Sequence, residues 1–284
     1  MDWPRIKTIL IMVLLVTNIL LGVMIVNEQK TFQREQSEKI DNIRALYEKR
    51  GITILPMSLK FPDKIESLNV EYDTYGESEL RTILGDDYEY DGSRYLNRDE
   101  MVLLTGTTLE YFVNIYRPQE DLFDIEITTP FALLSNGTEI KSVCDDFLKA
   151  LNMDQDYVFE HYKTEGQLTY ICVKQIYKDY FLDDSSMIFV IKDKEIVGFK
   201  RKWLNILDNN AQSKYPIISI DKALYELMMN FKEEDVISEI AIGYKLNDSS
   251  LLVSDLVSGE ALPYYKIKLE AGKCYYVQAV SETQ

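Results

Sequence analysis

The chain has 284 residues, of which 46% are hydrophobic and 27% charged, and its formal net charge is −16. This composition is typical of a folded protein, and the negative charge disfavours nucleic acid and anionic lipid headgroups as partners. Three cysteines, Cys144, Cys172 and Cys274, are an odd number at wide spacing. They exclude a complete disulfide framework, although a single disulfide between two of them is compatible with the sequence.

Residues 8–26 read TILIMVLLVTNILLGVMIV, an uncharged run long enough for a helix to cross the ~30 Å hydrocarbon layer of a membrane. Arg5 and Lys7 precede it, so the positive-inside rule places residues 1–7 in the cytoplasm and the chain after the run outside. We predict an uncleaved anchor over 8–27, because a signal peptide has a shorter apolar region and a small-residue cleavage site. A cleaved secretory signal is the alternative.

Asn18 lies in the middle of this run, where a carboxamide without a partner is costly. On a helix, Leu14, Asn18, Gly22 and Ile25 share one face. Glycine allows another backbone to approach closely, and an Asn side chain can hydrogen-bond across such a contact. We therefore predict a transmembrane helix–helix interface at these four residues. The alternative is a tolerated polar residue on an inert anchor.

The segment 28–51 is polar, with one weak apolar stripe near its end that includes Ile43 and Tyr47. Gly51 follows as a helix stop. The pattern predicts a juxtamembrane helix that docks only its distal half on the domain outside the membrane.

Residues 52–134 predict a first extracellular α+β region, because short strand-like segments there are interrupted by prolines. A short helix is predicted from Glu77 to Leu84. The stretch from Met101 to Tyr116 is typical of strand, with Gly106 at a turn or bulge.

A helix followed by antiparallel strands is then predicted twice, in a second unit over 135–212 and a third over 213–284. Thr138 and Ser219 can cap the two helices, each of which has one apolar face. Asp193-Lys194 is a plausible hairpin turn. Because each helix and each sheet must bury one apolar face against the other, we predict an α+β fold of antiparallel sheets with packed helices.

Residues that could carry chemistry are few. His161 is the only histidine, so a catalytic zinc site lacks ligands, and no GxSxG elbow is present. In the acidic loop 86–100, Arg98 falls where a calcium-binding loop needs its closing carboxylate. No glycine-rich phosphate-binding motif occurs. The sequence therefore predicts no enzyme activity, no metal and no cofactor.

The start of the chain, MDWPRIKTILIMVLLVTNILLG, resembles the N-terminus of the YycI family of membrane-anchored regulatory proteins of Gram-positive bacteria. The stretches ISIDKALYELMMN, EIAIGYKL and ALPYYKIKLEAGKCYYVQAV are also similar to that family, and the last is shared with YycH-type and PepSY-like modules. Pro4 and the region 75–100 depart from the family pattern. The matching opening residues are Met1, Asp2, Trp3, Lys7 and Thr8.

The resemblance implies YycH/PepSY-like repeated units and a regulatory role. YycI accompanies YycH and an essential sensor histidine kinase, WalK (also called YycG), that controls cell-wall metabolism. A single-pass protein of the cell membrane is therefore expected, whose transmembrane helix associates with a WalK-like kinase and a YycH-like partner. The sequence also allows a homodimer. The alternative function is an extracellular binding module for a cell-wall fragment or peptide, captured on tyrosine-rich strands.

Overall fold

The computed structural model describes residues 3–57, 61–113, 122–153, 156–207, 214–247 and 258–280, and within the first helix it describes side chains at 7, 11–25, 38 and from 41 onward. The α-helices are α1 (Trp3–Glu48), α2 (Glu77–Leu84), α3 (Gly137–Ala150) and α4 (Ile220–Leu227). The strands are β1 (Thr53–Ile54), β2 (Lys64–Glu66), β3 (Leu68–Tyr72), β4 (Glu89–Tyr90), β5 (Tyr95–Asn97), β6 (Glu100–Thr105), β7 (Thr108–Val113), β8 (Thr129–Pro130), β9 (Tyr157–Glu165), β10 (Leu168–Tyr177), β11 (Tyr180–Lys192), β12 (Glu195–Lys202), β13 (Leu204–Ile206), β14 (Lys214–Pro216), β15 (Val236–Leu246), β16 (Ser258–Leu269) and β17 (Cys274–Gln278). Single 3-10 turns lie at Phe131–Leu133 and Met228–Asn230.

Most strands belong to one sheet, which consists of two groups of strands, here called the middle unit and the C-terminal unit. The middle unit has the antiparallel order β8-β9-β10-β11-β12-β7-β6-β5-β4. The C-terminal unit has the antiparallel order β13-β3-β16-β15, with β17 beside β16 and β1 added in parallel to β15. The two units join where β11 pairs in parallel with β15, at Phe181–Gly243 and Leu182–Tyr244. The strands β2 and β14 form a separate antiparallel pair.

The middle unit buries its apolar cluster beneath α2 and α3. Cys144 and Leu148 lie on one face of α3 and are fully buried. Phe147 of the same helix packs on β12, with its ring centroid 5.2 Å from that of Phe199. The helix therefore covers the sheet face that strand alternation makes apolar.

The C-terminal unit buries its own cluster against α4 and the end of α1. Ala223 and Leu224 of α4 are fully buried, as are Ile237 of β15 and Ile267 of β16. The segment 52–134 contributes to both units, because β3 pairs with β13 and β16 whereas β6 and β7 extend the middle unit.

Several local predictions are confirmed. The helix α2 has the predicted bounds, and Asp193 and Lys194 form the β11–β12 hairpin turn with φ of 50° and 69°. Ser219 occupies the N-cap position of α4, although its side chain makes no capping hydrogen bond. The prediction of Thr138 as a helix cap is wrong, since α3 begins at Gly137 after Asn136. The carbonyl of Asn136 accepts hydrogen bonds from the first turn, so no side-chain oxygen is needed there.

The predicted α+β class with antiparallel sheet and packed helices is confirmed. Within the described residues, no helix is both long enough and apolar enough to count as a candidate membrane span. The predicted anchor over 8–27 includes residues 8–10 and 26–27, whose side chains lie outside the described ones. The membrane-spanning part of the predicted fold therefore stays a prediction.

Candidate functional site

The first candidate site is α1, whose distal end is fixed to the C-terminal unit. Ile52 N–H donates to the carbonyl of Tyr47 and Gly51 N–H to that of Glu48, at 3.1 and 3.0 Å. Gly51 has φ of +75°, so these bonds form the Schellman motif that ends a helix at a glycine. Tyr47 and Ile52 are both buried, and the Tyr47 hydroxyl donates to the carbonyl of Leu224 at 2.6 Å.

The predicted interface residues lie on the exposed part of the same helix. Leu14 and Ile25 expose 54% and 55% of their surface. Asn18 is also exposed, and its carboxamide makes no hydrogen bond within the described residues. A methyl group placed on Gly22 would meet nothing within 4 Å. The structure places all four residues on a helix surface where they have no intramolecular partner among the described residues, so the interface stays a prediction.

The second candidate site is a buried polar cluster where the two units meet, here called the junction. Its centre is Asp183 and Asp184, at the irregularity in β11 between the part that pairs with β15 and the part that pairs with β12. Tyr276 of β17 donates to Asp183 at 2.9 Å, and Leu246 N–H of β15 donates to Asp184 at 2.7 Å. Burial raises the pKa of Asp184, although the bond from Leu246 opposes that rise.

A bulge in β9 supplies the other side of the junction. Cys172 pairs with His161 and Val173 with Phe159, which leaves Glu160 as the extra residue. A bulge can redirect a side chain, and here Glu160 and His161, although neighbours, both contact lysines of β16. Lys266 bonds to Glu160 Oε1 at 2.8 Å, and the Lys268 ammonium bonds to His161 Nε2.

The charges of the junction are mutually compensated. Burial would raise the pKa of Glu160, but the hydrogen bond to His161 and the charge of Lys266 outweigh it and hold that pKa below its ordinary value. Burial would lower the pKa of Lys266, but Glu160 outweighs it and raises that pKa. Both side chains are therefore ionised at neutral pH and attract each other in a poorly hydrated site.

Two thiols adjoin this cluster without becoming nucleophiles. Cys172 is paired with His161 across the strands, and Cys274 is paired with Lys268. Burial raises the pKa of Cys172 to about 11 and also raises that of Cys274. Since a thiolate is the reactive form, burial disfavours the reactive form of both thiols. All three cysteines are free.

A second contact between the units surrounds Arg201 of β12, which is 1% exposed. Its guanidinium forms an ion pair with Asp73, after β3, and donates to the Tyr75 hydroxyl at 2.8 Å. The Trp203 ring lies 5.2 Å from the guanidinium carbon. Side chains of both units surround the Arg201 guanidinium. This contact therefore holds the middle unit against the C-terminal unit where the chain passes from one to the other.

The third candidate site is an open cavity of about 450 Å³, here called the tyrosine groove. It lies between the β2–β14 pair, the β10–β11 turn and β15. Its lining residues are Asp63, Lys64, Ile65, Glu66, Tyr177, Lys178, Tyr180, Lys214 and Tyr244. Its volume lies in the range of small-molecule sites.

Sequence reasoning missed both the junction and the tyrosine groove. Regular strand alternation places neighbouring side chains on opposite faces, so it could not join Glu160 and His161. A detectable signal for the junction was the acidic pair Asp183-Asp184 inside an otherwise apolar strand. The richness in tyrosine was recognised, but not which tyrosines come together.

No protein-family model matches the chain, and no curated protein matches it. Among solved structures, the Bacillus megaterium YpeB C-terminal domain is similar with a TM-score of 0.36 and 10% sequence identity, over 87% of this chain and 92% of that one. A likeness of this degree supports no functional conclusion. The resemblance to the YycI family therefore rests on the sequence alone.

Proposed function

We propose that the protein is a membrane-anchored regulator of an essential two-component sensor histidine kinase that controls cell-wall metabolism. In this proposal, residues 8–27 cross the cell membrane once with the N-terminus in the cytoplasm, and the two units lie outside. The transmembrane helix associates with a WalK-like kinase and a YycH-like partner. The YycI-like opening of the sequence supports this assignment, as does the helix that follows it.

One observation carries the proposal: a single helix is exposed at one end and fixed at the other. Asn18 lines an open depression on α1 and has no hydrogen-bond partner in the part of the chain that the structure describes, and the other lining residues are Ile11, Leu14, Leu15 and Ile19. Tyr47, near the other end of α1, is fully buried in the C-terminal unit. At about 1.5 Å per residue, the 46 residues of α1 extend for about 69 Å without a break.

The continuity of α1 gives a physical route for regulation. A continuous α-helix transmits rotation or displacement between its ends because its hydrogen-bond ladder resists local bending. A movement of the extracellular units would therefore reach the segment that contacts the kinase. A coupling free energy of about 1–3 kcal/mol is ordinary for such an effect.

The chemistry of the exposed face suits association in lipid. Gly22 permits close approach of a second backbone, and the Asn18 carboxamide can donate and accept across that contact. Membrane hydrogen bonds of this kind contribute about 0.6 kcal/mol on average. They therefore bias helix pairing, and packing of the flanking apolar side chains supplies the rest.

The test replaces Asn18 and Gly22 together by Leu in the full chain and measures its co-purification and crosslinking with the kinase in intact membranes. The matched control is V16L/V23L, which makes two changes to Leu on the opposite face of α1. We expect the first variant to lose most of the association and the control to retain it, at equal membrane levels. Equal association of both variants would contradict the proposed interface, as would crosslinks only between copies of this chain.

A further inference from the structure

The tyrosine groove has an aromatic corner. The rings of Tyr180 and Tyr244 are perpendicular, with an interplanar angle of 89° and centroids 5.9 Å apart. Tyr177 lies beside them, with the Lys178 ammonium 4.8 Å from its ring centroid. A ring-shaped ligand can pack its apolar face on one tyrosine while its polar edge meets the hydroxyl of another.

The hydroxyl groups of this corner face the cavity, and none of them bonds to a described residue. Tyr244 is only 3% exposed, yet it lines the cavity and its hydroxyl makes no hydrogen bond within the described residues. The hydroxyls of Tyr177 and Tyr180 are likewise without a hydrogen-bond partner among them. Because Tyr244 lines the open cavity, its hydroxyl is available to a ligand that enters there.

The charge of the groove favours an anion although the whole chain is acidic. Three lysines and two carboxylates line it, which leaves one positive charge in excess. Lys214 neutralises Glu66 at 3.2 Å, whereas the Lys64 ammonium forms no ion pair within the described part of the chain. Lys64 is thus available for a carboxylate, and charge-assisted hydrogen bonds of this type are the stronger ones.

We infer that the tyrosine groove binds a carboxylated sugar of the uronic-acid type. The aromatic corner receives the apolar face of the pyranose ring, the tyrosine hydroxyls bond its hydroxyl groups, and Lys64 binds its carboxylate. A dry apolar pocket would suit a peptide side chain better than this hydroxyl-rich and charged lining. The inference is independent of the regulatory proposal, because no groove residue lies on α1.

The test titrates glucuronate and glucose, which differ in the carboxylate, into the full chain in detergent micelles and follows saturation-transfer NMR. We expect saturable binding of glucuronate, about tenfold tighter than that of glucose. Lys64→Gln should abolish the difference between the two sugars and leave glucose binding unchanged. Tyr244→Phe should weaken both about fivefold.

Tyr225→Phe is the matched control, because Tyr225 is 66% exposed on α4 and outside the groove. It should leave both affinities unchanged, and so should N18L/G22L. Thermal unfolding of each variant checks that the fold is retained. Absence of saturable binding, or glucuronate binding undiminished in Lys64→Gln and Tyr244→Phe, would overturn the inference. Preferential binding of an acidic tripeptide would also overturn it.

Discussion

The C-terminal unit is held on two sides by contacts of opposite chemistry. Against α1 the contact is apolar, with Tyr47 and Phe231 rings 5.7 Å apart and one hydrogen bond to Leu224. Against the middle unit the junction is charged, with the Glu160–Lys266 pair at 2.8 Å. Apolar burial stabilises without strict geometry or protonation, whereas a buried ion pair depends on both. The junction is therefore the side that single substitutions and acid should weaken first.

The largest effect is expected from closing the space between β11 and β15, beside the junction. A methyl group on Gly243 would clash with the Phe181 carbonyl oxygen and would lie 2.6 Å from the Phe181 ring. Because backbone cannot move aside cheaply, Gly243→Ala should lower the free energy of unfolding by about 3 kcal/mol. Urea unfolding of the full chain in micelles measures this. Gly22→Ala, with nothing near the added methyl group, is the control, and equal stability of both variants would refute the close approach.

A smaller loss is expected when one partner of the ion pair is removed. Glu160→Gln leaves Lys266 charged and 8% exposed, which should cost about 2 kcal/mol of unfolding free energy. Glu160→Leu combined with Lys266→Met should recover part of that loss, because neither partner of the pair is left charged, whereas Asp183 loses the Lys266 ammonium at 4.0 Å. Glu77→Gln, in an exposed pair with Arg81, should change stability by less than about 0.5 kcal/mol. A double variant as unstable as the single one would argue against the charge as the cause.

Acid should remove the same contribution without a mutation. The pKa of Glu160 lies below its ordinary value of 4.5, because the hydrogen bond to His161 and the charge of Lys266 outweigh its burial. A lowered pKa stabilises the fold fully above 4.5, and this stabilisation is lost as the pH falls towards the folded value. The unfolding free energies of the wild type and Glu160→Gln should therefore converge below that pH. A difference that stays constant between about pH 7 and pH 3 would contradict this assignment.

The smallest effect is expected on the apolar side. Tyr47→Phe removes the hydroxyl that donates to the Leu224 carbonyl and keeps the ring, so it should cost about 1 kcal/mol. Hydrogen exchange at the end of α1 measures this local loss, with Tyr225→Phe as the control. A loss as large as that of Gly243→Ala would mean that the two contacts do not differ as described.

Particular elements show how far the sequence reaches. The bounds of α2, the N-cap at Ser219 and the turn at Asp193-Lys194 follow from short-range signals, and they are confirmed. The strand β11 begins at Tyr180 and continues to Lys192. Its first half contains Asp183 and Asp184, whose carboxylates accept hydrogen bonds from β17 and β15. A local pattern cannot distinguish such residues from a loop.

The sequence by itself determined the α+β class and the apolar face of each packed helix. It also determined which residues of the first helix share a face. These features depend on local periodicities of 3.6 residues in a helix and 2 in a strand. Only the tertiary structure decided that β3 joins the C-terminal unit, that Glu160 meets Lys266, and that three tyrosines surround one cavity. These contacts join residues that are far apart in the chain, as in the 106 positions that separate Glu160 from Lys266. Their partners are selected by the packing of whole strands, which no local pattern encodes.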